Sequence, residues 1–344
     1  MCRAEVAAPR VSRRRLNLLQ SQRAYRPAPA IGAPFAPENP PRKQLVKTRN
    51  WSKIARKIML HKLRVLRALK GNCIRQTRIF LGIKARPKAP VLSQPLDRIL
   101  ERHSLICRTL VELWPPGLDL NGKSVCEIGP GDCLASAAFF VGKGASHVDL
   151  VEFQPPALNA KQWEVLTALK NMGFPVSLEV ISNNGAVTLN DRLISYHKHH
   201  MEHYSAESKQ DLLFSHHVME HVEDLDAVFK SAWRALRPGG RMFHVVDLGG
   251  HGQFEDPIPP LDFQTYPDWL FELMYPVNYR NTRRFLEEYR RAAAAAGFSN
   301  IETRTLRVAD KPYVESIRKK LQPAAQAQPV EDLAVIEFVL YATK

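Results

Sequence analysis

The sequence has few cysteines, no paired-cysteine motif and no long apolar run. Its five cysteines form no CxxC pair and are odd in number, which argues against both a zinc knuckle and a disulfide framework. No apolar stretch of about 18 residues is present, so no segment is predicted to cross a membrane. The N-terminus also lacks the hydrophobic region of a secretory signal. These absences predict a cytoplasmic protein in a reducing compartment.

Acidic residues are almost absent from the first part of the chain. Residues 1–90 contain 23 Lys and Arg residues but only Glu5 and Glu38 as acids, whereas the remainder contains 26 basic and 32 acidic residues. The formal net charge of +15 therefore belongs to an N-terminal extension. Because the rest of the chain is mildly acidic, nucleic acid is not the expected partner of the folded domain.

The basic extension divides into two pieces of different composition. Residues 1–50 are rich in Arg, Pro and Ala without a sustained period, which predicts disorder; a transit peptide, a polybasic arm and a later start at Met59 are the alternatives. Residues 51–92 are predicted to be a basic amphipathic helical segment, because apolar and basic side chains alternate near helical spacing over 51–83. Such a helix suits either an anionic membrane surface or packing against the folded domain.

Strand and helix patterns alternate over residues 93–344, which predicts one α/β domain with a mostly parallel sheet and helices on both faces. The predicted strands are 124–128, 147–152, 211–215, 241–246, 301–306 and 335–341, with 176–181 and 193–197 as alternatives for one more. The predicted helices are 96–114, 132–141, 156–172, 224–236 and 281–296. Ligands of such a sheet bind beyond the carboxyl ends of the strands, where the strand order reverses.

The stretch VCEIGPGDCLAS, residues 125–136, lies where the first strand passes into a helix. Gly129 and Gly131 suit a turn in which the backbone approaches a ligand, or one in which a Cβ would clash. A dinucleotide fingerprint needs a third glycine, but Leu134 occupies that position. An NAD site is therefore only weakly indicated.

Two carboxylates flank this turn, Glu127 before it and Glu152 at the end of the second strand. A carboxylate at the first strand tip suits a cationic amine, and one at the second tip can accept hydrogen bonds from both ribose hydroxyls. S-adenosylmethionine carries an ammonium group, a ribose and an adenine. These residues therefore favour S-adenosylmethionine over a dinucleotide.

Three blocks of sequence resemble class I S-adenosylmethionine-dependent methyltransferases and occur in that family's order. They are CEIGPGDCLAS, DLLFSHHVMEHVEDLDAVFKSAWRALRPGGRMFHVVDL and NYRNTRRFLEEYRRAAAAAGF, which together cover about residues 120–305. Cys133 departs from the first block, because many members have glycine or a small hydroxyl residue there. The resemblance implies a Rossmann-like seven-stranded α/β fold, S-adenosylmethionine as cofactor and methyl transfer as the activity.

The same resemblance implies which residues contact the cofactor. Glu127, Gly129 and Gly131 would line the methionine moiety, and Glu152 would hold the ribose. Phe153 would lie against the adenine. The residues that would face the sulfonium, at the tip of the fourth strand, are Ser215 and His216.

The class of methyl acceptor is predicted by excluding motifs that are absent, and the catalytic residues are predicted from the positions of the histidines. The fourth strand ends in SHHV and lacks the Pro-Pro and Pro-Cys tips that mark amino- and cytosine-methylating nucleic-acid enzymes. A hydroxyl of a small molecule, sugar or glycolipid is the expected acceptor, and a base assists its methylation. Nine of the twelve histidines lie in residues 197–251. The candidate catalytic residues are His217, Asp247 and His251, whereas His244, inside a strand, is expected to be a core histidine.

The loop HVVDLGGHGQFEDP, with Asp247 and His251, resembles one in a bacterial branch of the family associated with sugars of surface polysaccharide and glycolipid. Residues 252–280 form a long connection rich in aromatics and proline, which predicts either a lid over the pocket or a segment packed on the sheet. The run from His197 to His203 is predicted to be a loop beside the adenine. No metal site is expected there, because a lysine interrupts the run, the cysteines lie elsewhere and magnesium prefers oxygen ligands.

Two other functions remain open from the sequence. One is an RNA-binding methyltransferase whose basic extension holds RNA through salt-sensitive phosphate contacts. The other is a non-catalytic, membrane-associated protein, which the intact cofactor residues disfavour. The favoured prediction is an S-adenosylmethionine-dependent methyltransferase that acts on a hydroxylated small molecule, sugar or glycolipid. Its residues 51–83 are predicted to contact an anionic membrane at the inner face.

Overall fold

The computed structural model describes residues 65–66, 69–74, 91–183, 186–204, 209–250, 259–274 and 281–344. The chain divides into the units Met1–Arg56 and Lys57–Lys344, and every described residue belongs to the second unit. The extension predicted over residues 1–50 lies outside the described residues, as does most of the basic segment 51–92. His251 also lies outside them.

A mostly parallel sheet forms the centre of the described chain. The strands are β1 (Ser124–Ile128), β2 (His147–Val151), β3 (Ile181–Asn183), β4 (Val187–Leu189), β5 (Ile194–His197), β6 (Gln210–His216), β7 (Leu236–Asp247), β8 (Ser299–Val308) and β9 (Val335–Thr343). β3 and β4 form a separate antiparallel pair, and the other seven have the order β5-β2-β1-β6-β7-β9-β8. β9 runs antiparallel to β7 and β8, whereas the other pairings in this sheet are parallel.

Helices lie between most of the strands. They are α1 (Leu96–Glu112), α2 (Ala135–Gly142), α3 (Ala160–Asn171), α4 (Leu225–Ala235), α5 (Asp268–Met274), α6 (Leu286–Ala296), α7 (Lys311–Ile317), α8 (Pro323–Gln326) and α9 (Val330–Leu333). The Asn159 side chain caps α3 by accepting hydrogen bonds from two backbone amides, and Asp224 caps α4 through Ala227 N. The predicted fold class, a seven-stranded Rossmann-like sheet flanked by helices, is confirmed.

Apolar side chains cover both faces of the sheet. On one face, Phe140 of α2 meets Phe214 of β6 with ring centroids 5.1 Å apart. On the other, Tyr289 of α6 meets Phe338 of β9 at 5.4 Å, in the same cluster as Leu213. Leu213 and Phe214 enter opposite clusters because successive strand residues point to opposite faces. These two layers fix the strand ends at which the polar residues lie.

The two segments proposed for a further strand have different structures. Residues 193–197 join the sheet as β5, beside β2. The alternative prediction, a sheet strand over 176–181, is wrong, because Leu178–Val180 is a single 3-10 turn. This segment packs on α2, where Ser177 N donates to Ala138 O at 2.9 Å. Its apolar residues are therefore buried by a helix rather than by a strand.

The last long helix begins later than its sequence pattern predicts. The predicted helix starts at residue 281, but α6 starts at Leu286. Arg283 has a φ of 59°, which is incompatible with a right-handed helix, and its backbone N donates to Asn281 Oδ1 at 2.8 Å. The helix ends at Gly297, whose φ of 99° matches the predicted stop.

Two insertions lie beside the carboxyl end of β7. The first connects β7 to α6 and contains α5, and the second connects β8 to β9 and contains α7, α8 and α9. The insertions share an apolar cluster in which Leu261 meets Val314 and Leu333. They are also joined by a hydrogen bond from Gln322 N to Gln264 O at 2.8 Å. The helices of both insertions were not predicted, because their apolar residues follow no sustained period.

Part of the basic segment packs against the first insertion. Residues 69–74 are helical, and Val65 and Leu69 contact the apolar cluster that includes Phe271 and Met274. Asn72 Nδ2 donates to Leu273 O at 2.5 Å. Of the two predicted roles, packing on the folded domain is thus observed for this stretch. Within the described residues, no helix is long and apolar enough to cross a membrane.

Candidate active site

The candidate site lies where the carboxyl ends of β1 and β6 meet. β1 pairs with β2 on one side and with β6 on the other, so the strand order reverses here. Ile128 at the end of β1 pairs with Ser215 near the end of β6. Residues that follow these positions therefore lie side by side at the ligand-binding edge of the sheet.

The glycine turn after β1 adopts a backbone that disfavours other residues. Gly129 has a φ of 68° and Gly131 a φ of 73°. A Cβ on Gly129 would lie 2.6 Å from Val218 Cγ2, so this glycine allows the loop after β6 to approach. A Cβ on Gly131 would meet nothing within 4 Å, so this glycine borders open space.

Glu127 places a buried carboxyl group beneath the turn. Its side chain is buried, and Oε1 accepts a hydrogen bond from Ser136 Oγ. Its Oε2 has no hydrogen-bond partner among the described residues. Burial raises the pKa of Glu127 to about 8; the Ser136 hydroxyl opposes the rise, and the nearby Glu152 carboxylate adds to it. A cationic ligand beside the unpartnered Oε2 would lower this pKa and stabilise the carboxylate form.

Glu152 links the end of β2 to the glycine turn. Its Oε2 accepts a hydrogen bond from Gly131 N at 3.3 Å. Its Oε1 accepts from Phe153 N at 2.7 Å and from Gln154 N at 3.2 Å. The carboxylate is half-buried and oriented by three backbone amides, and Oε2, which accepts only one of these hydrogen bonds, retains a lone pair for a further donor.

Phe153 presents an aromatic face next to Glu152. Its side chain is 58% exposed, although it stacks on His200 with ring centroids 5.8 Å apart and planes at 18°. Lys198 Nζ lies 5.9 Å from its ring centroid. An exposed phenyl ring on a short loop offers a surface on which a planar ligand can stack.

Ser215 and His216 lie at the end of β6 but differ in their surroundings. Ser215 is buried, and its Oγ lies 2.9 Å from His244 Nδ1. The prediction that His244 is a core histidine is confirmed, because it is fully buried and burial lowers its pKa to about 3. Burial, with smaller contributions from His217 and Arg102, also lowers the pKa of His216 to about 3. Both histidines are therefore neutral at neutral pH.

His217 has an unusual backbone and a carboxylate partner. Its φ is 55°, a left-handed conformation that costs a residue other than glycine of the order of 1–3 kcal/mol. Its backbone N donates to Val245 O at 2.9 Å. Its Nε2 lies 2.9 Å from Glu337 Oε1, and its ring centroid lies 4.1 Å from that of His216. Contacts to β7 and β9 thus hold both the backbone and the side chain.

Asp247 and His217 are connected through two residues that the sequence pattern did not predict. Arg307 Nη2 donates to Asp247 Oδ1 at 2.9 Å, and Arg307 Nε lies 3.5 Å from Glu337 Oε2. Gly249 N also donates to Asp247 Oδ1, at 2.8 Å. The strand register explains the cluster, because Glu337 pairs with Asp247 on one side and with Arg307 on the other.

A further carboxyl group lies beside this cluster. Glu220, in the turn after β6, is fully buried, and burial raises its pKa well above its ordinary value. The charges of Asp247 and Glu337 add to the rise. The Glu220 backbone O accepts hydrogen bonds from Thr282 N at 2.9 Å and from Thr282 Oγ1 at 3.2 Å. The turn is thus fixed by the residues that precede α6.

A second polar cluster lies under β2, and the sequence pattern did not predict it either. Asp149 accepts hydrogen bonds from His197 Nε2 at 2.6 Å, from Tyr204 OH at 3.0 Å and from Gln210 Nε2. Burial opposes ionisation, but these donors hold the pKa of Asp149 below its ordinary value. The run from His197 to His203, predicted to be a loop, contains the end of β5, a bend and a 3-10 turn. No group of metal-ligating side chains occurs among the described residues.

The sequence matches the family model described as a methyltransferase domain over residues 99–303, more than half of the chain. The chain belongs to this methyltransferase family. It is a class I S-adenosylmethionine-dependent methyltransferase, as the sequence blocks predict, and S-adenosylmethionine is its cofactor. No curated protein matches this methyltransferase.

Solved structures of other methyltransferases are similar to this one. Phosphoethanolamine N-methyltransferase 2 of Haemonchus contortus, in complex with S-adenosyl-L-methionine, is 17% identical with a TM-score of 0.41; the match covers 70% of this chain and 52% of that chain. This chain thus spans about half the length of that relative. An S-adenosylmethionine-dependent methyltransferase of Mesorhizobium loti is 16% identical with a TM-score of 0.38, over 74% and 100% of the two chains. A geranyl diphosphate methyltransferase is 16% identical with a TM-score of 0.40, over 74% and 88%.

The residues at the ends of β1 and β2 fit the cofactor of this methyltransferase. Open space lies in front of Gly131, where any other residue would project a side chain. Glu127 has a buried oxygen without a partner among the described residues, which suits the ammonium group. Glu152 offers an oriented carboxylate whose Oε2 retains an acceptor site, which suits a ribose hydroxyl.

Proposed function

We propose that this methyltransferase acts on a hydroxyl group of a small molecule, sugar or glycolipid, and that His217 takes the hydroxyl proton. The position of His217 carries the proposal. His217 lies two residues beyond the Ile128–Ser215 pair, and its neighbour Val218 contacts the glycine turn at Gly129. A base in this position is adjacent to the cofactor side of the site.

The cofactor side is formed by residues from β1, β2 and β6. We assign Glu127, Gly129 and Gly131 to the methionine moiety and Glu152 to the ribose. The exposed ring of Phe153 supports a stacking role against the adenine. The residues assigned to the sulfonium side are Ser215 and His216. The buried Ser215 hydroxyl would act there indirectly, by orienting its own strand end.

The acceptor side is formed by His217 and its neighbours. When bound, S-adenosylmethionine supplies an electrophilic methyl group on a positively charged sulfur. An oxygen acceptor must lose its proton as it is methylated, and a positioned base accelerates such a step by about 10²–10⁴-fold. Nδ1 of His217 has no hydrogen-bond partner among the described residues and can receive that proton. Asp247 supports the site through Arg307, and His251 is assigned to the same loop from the sequence alone.

The test combines an acceptor screen with one histidine variant. The protein is incubated with methyl-labelled S-adenosylmethionine and panels of hydroxylated small molecules, sugars, glycolipids and amines. The variant is His217→Asn, because asparagine tolerates the left-handed backbone. His147→Asn, at a half-buried histidine that starts β2 at the end opposite Glu152, is the control. An O-methylated product whose formation is lost in His217→Asn and kept in the control supports the proposal. N-methylated products alone, or unchanged O-methylation by His217→Asn, contradict it.

Residues 51–83 support a second part of the proposal, contact with an anionic membrane. On the described part of this segment, Leu66 and Ile74 are 62% and 50% exposed, and Lys70 is exposed between them. Exposed apolar and basic side chains on one helix favour binding at the interface of an anionic bilayer. A membrane position would bring a glycolipid acceptor to the site.

Vesicle sedimentation tests the membrane contact. We expect binding to vesicles that contain phosphatidylserine, weaker binding to phosphatidylcholine alone, and loss of binding in a Leu66→Glu, Ile74→Glu variant. Leu105→Glu changes an equally exposed leucine on α1 and is the control. Equal binding by all three proteins contradicts the proposal. Salt-sensitive binding to single-stranded RNA instead of vesicles would favour the RNA-binding alternative.

A further inference from the structure

Glu337 lies at the start of β9, far in sequence from the residues that it contacts. Its two carboxylate oxygens have separate partners, His217 Nε2 at 2.9 Å from Oε1 and Arg307 Nε at 3.5 Å from Oε2. Arg307 is itself held by Asp247 through a 2.9 Å hydrogen bond. Oε1 of Glu337 is therefore directed at His217, while Arg307 holds Oε2 in place.

This contact determines which nitrogen of His217 carries a proton. An ionised carboxylate has only acceptor oxygens, so Nε2 must be the donor in the bond to Glu337. In the neutral ring the proton is then on Nε2, and Nδ1 keeps its lone pair. The hydrogen bond also stops the ring from rotating about its bond to Cβ. A base at Nδ1 is thereby oriented before any acceptor binds.

The backbone of His217 is also fixed by neighbouring residues. Its left-handed φ of 55° persists although that conformation is unfavourable, and its amide donates to Val245 O on β7. Val245 pairs with Val339 on β9, two residues from Glu337. The paired strands β7 and β9 therefore hold the backbone and the side chain of His217, respectively. Backbone strain that is maintained in this way is typical of functional positions.

We propose that Glu337 is a positioning residue for His217, which it holds with Nε2 protonated so that Nδ1 takes the proton of the methyl acceptor. This inference rests on the proposed role of His217 as the base. In the step, the acceptor oxygen forms a bond to the methyl carbon, the methyl–sulfur bond breaks and its electron pair stays on sulfur. The acceptor proton moves to Nδ1. The resulting imidazolium is opposite the Glu337 carboxylate and later loses its proton to solvent, to which His217 is one-third exposed.

Other titratable and charged groups lie near the pair of His217 and Glu337. His216 lies against the His217 ring, and Arg102 and His103 of α1 act on His216 through their charges. Asp247 pairs with Glu337 across β7 and β9, and the charges of both carboxylates act on the buried Glu220. A purely structural ion pair at a half-exposed position contributes only about 0–1 kcal/mol. A structural role therefore predicts a small loss of stability in Glu337→Gln and no change in kcat.

The test has a spectroscopic arm that needs no acceptor. Imidazole protons in hydrogen bonds to carboxylates give strongly downfield, slowly exchanging NMR signals. We expect such a signal from His217 that disappears in His217→Asn and moves upfield in Glu337→Gln. The pair of His197 and Asp149 gives an internal reference that both variants leave in place. Absence of the His217 signal from the wild-type protein overturns the inference.

The kinetic arm is a double-mutant cycle on the acceptor found in the screen. We expect Glu337→Gln to lower kcat about 10–100-fold with little change in KM, and to have no further effect in the His217→Asn protein. Glu337→Asp should recover part of the rate. Glu331→Gln removes the surface pair with Lys311 and is the matched control. If His217→Asn is inactive but Glu337→Gln is fully active, this inference fails alone. If His217→Asn is fully active, the proposed base fails with it.

Discussion

The residues that we assign to the cofactor (the cofactor end) and to the methyl acceptor (the acceptor end) come from different ranges of sequence. Glu127, Gly129, Gly131 and Glu152 come from two adjacent strands and the turn that follows the first of them. His217 and Glu337, by contrast, meet across a sequence separation of 120 residues. Asp247 and Arg307 join them only because β9 returns antiparallel between β7 and β8.

This difference determines which end of the site can be recognised from the sequence alone. A strand, a glycine turn and a helix form one local unit whose geometry follows from the spacing of its residues. The acceptor end depends on the register of distant strands, so a shift of one residue would turn every side chain to the other face. The cofactor end is therefore recognisable from a short motif, whereas the acceptor end needs the structure.

Alanine substitutions in the glycine turn should give the largest effects, and they test the cofactor end. Gly129→Ala combines a left-handed backbone with a 2.6 Å approach to Val218, so we expect a loss of about 2–3 kcal/mol in the free energy of unfolding. Gly131→Ala should cost about 1 kcal/mol but weaken S-adenosylmethionine binding at least tenfold, because its Cβ enters the open space. Chemical denaturation and calorimetric titration measure the two quantities.

Gly239→Ala is the control for these variants. Gly239 has a φ of 76°, and a Cβ added to it would meet nothing within 4 Å, so it carries the same backbone strain away from the site. It should lose about 1 kcal/mol of stability and retain cofactor affinity. Equal weakening of binding by Gly131→Ala and Gly239→Ala would show that the turn has no special relation to the cofactor.

Removal of Arg283 should destabilise the first insertion and leave the cofactor end unchanged. Its guanidinium donates to Phe263 O at 2.6 Å and Tyr266 O at 2.8 Å, and its Cζ lies 3.7 Å from the Phe271 ring centroid. We expect Arg283→Ala to cost about 2 kcal/mol and to speed amide exchange in residues 259–274. Cofactor affinity should stay within about twofold. Arg234→Ala, at an exposed arginine, should change neither property.

The buried carboxyl group of Glu127 should make the stability of the cofactor end dependent on pH. Its pKa is raised from 4.5 to about 8, so the folded protein binds this proton more tightly than the unfolded chain. The resulting stabilisation is complete below pH 4.5 and is lost as the pH rises through about 8. Against Glu127→Gln, the wild type should lose up to about 1.4 kcal/mol per pH unit in this window. Parallel stability profiles of the two proteins would contradict this account of Glu127.

The smallest expected difference concerns the backbone at His217. Asparagine adopts the left-handed conformation more easily than alanine. Both substitutions remove the bond to Glu337, so their difference isolates the backbone term. His217→Asn should be more stable than His217→Ala by about 0.5–1 kcal/mol in denaturant titrations. If His217→Ala were as stable as His217→Asn or more stable, the left-handed backbone at this position would not be held in place by its neighbours.

The sequence predicts the sheet and the position of the glycine turn well, because both follow from local patterns of residues. β1, β2 and β6 appear as short buried runs, and Gly297 ends α6 at the predicted position. Errors occur where tertiary contacts override a pattern. Residues 176–181 have the pattern of a strand but pack on α2, and residues 281–285 have the pattern of a helix but are held by Asn281 and Arg283.

The acceptor end could be predicted only in part. His217 and Asp247 were predicted because they follow or end strands β6 and β7, whose ends are visible in the sequence. Glu337 and Arg307 were not, since nothing local marks a charged residue near a strand terminus as a partner of a distant histidine. The one available signal is that Glu337 interrupts the apolar strand pattern over 335–341, and its meaning depends on the register of β9.

The most direct test of the account is calorimetric titration of S-adenosylmethionine into wild type and Glu152→Ala, with Glu112→Ala at the exposed end of α1 as control. We expect micromolar binding by the wild type and the control. Glu152→Ala should weaken binding at least tenfold, about 1.4 kcal/mol, because the oriented carboxylate is lost. Absence of binding by the folded wild-type protein, or equal affinity in all three proteins, would contradict the cofactor site at the ends of β1 and β2.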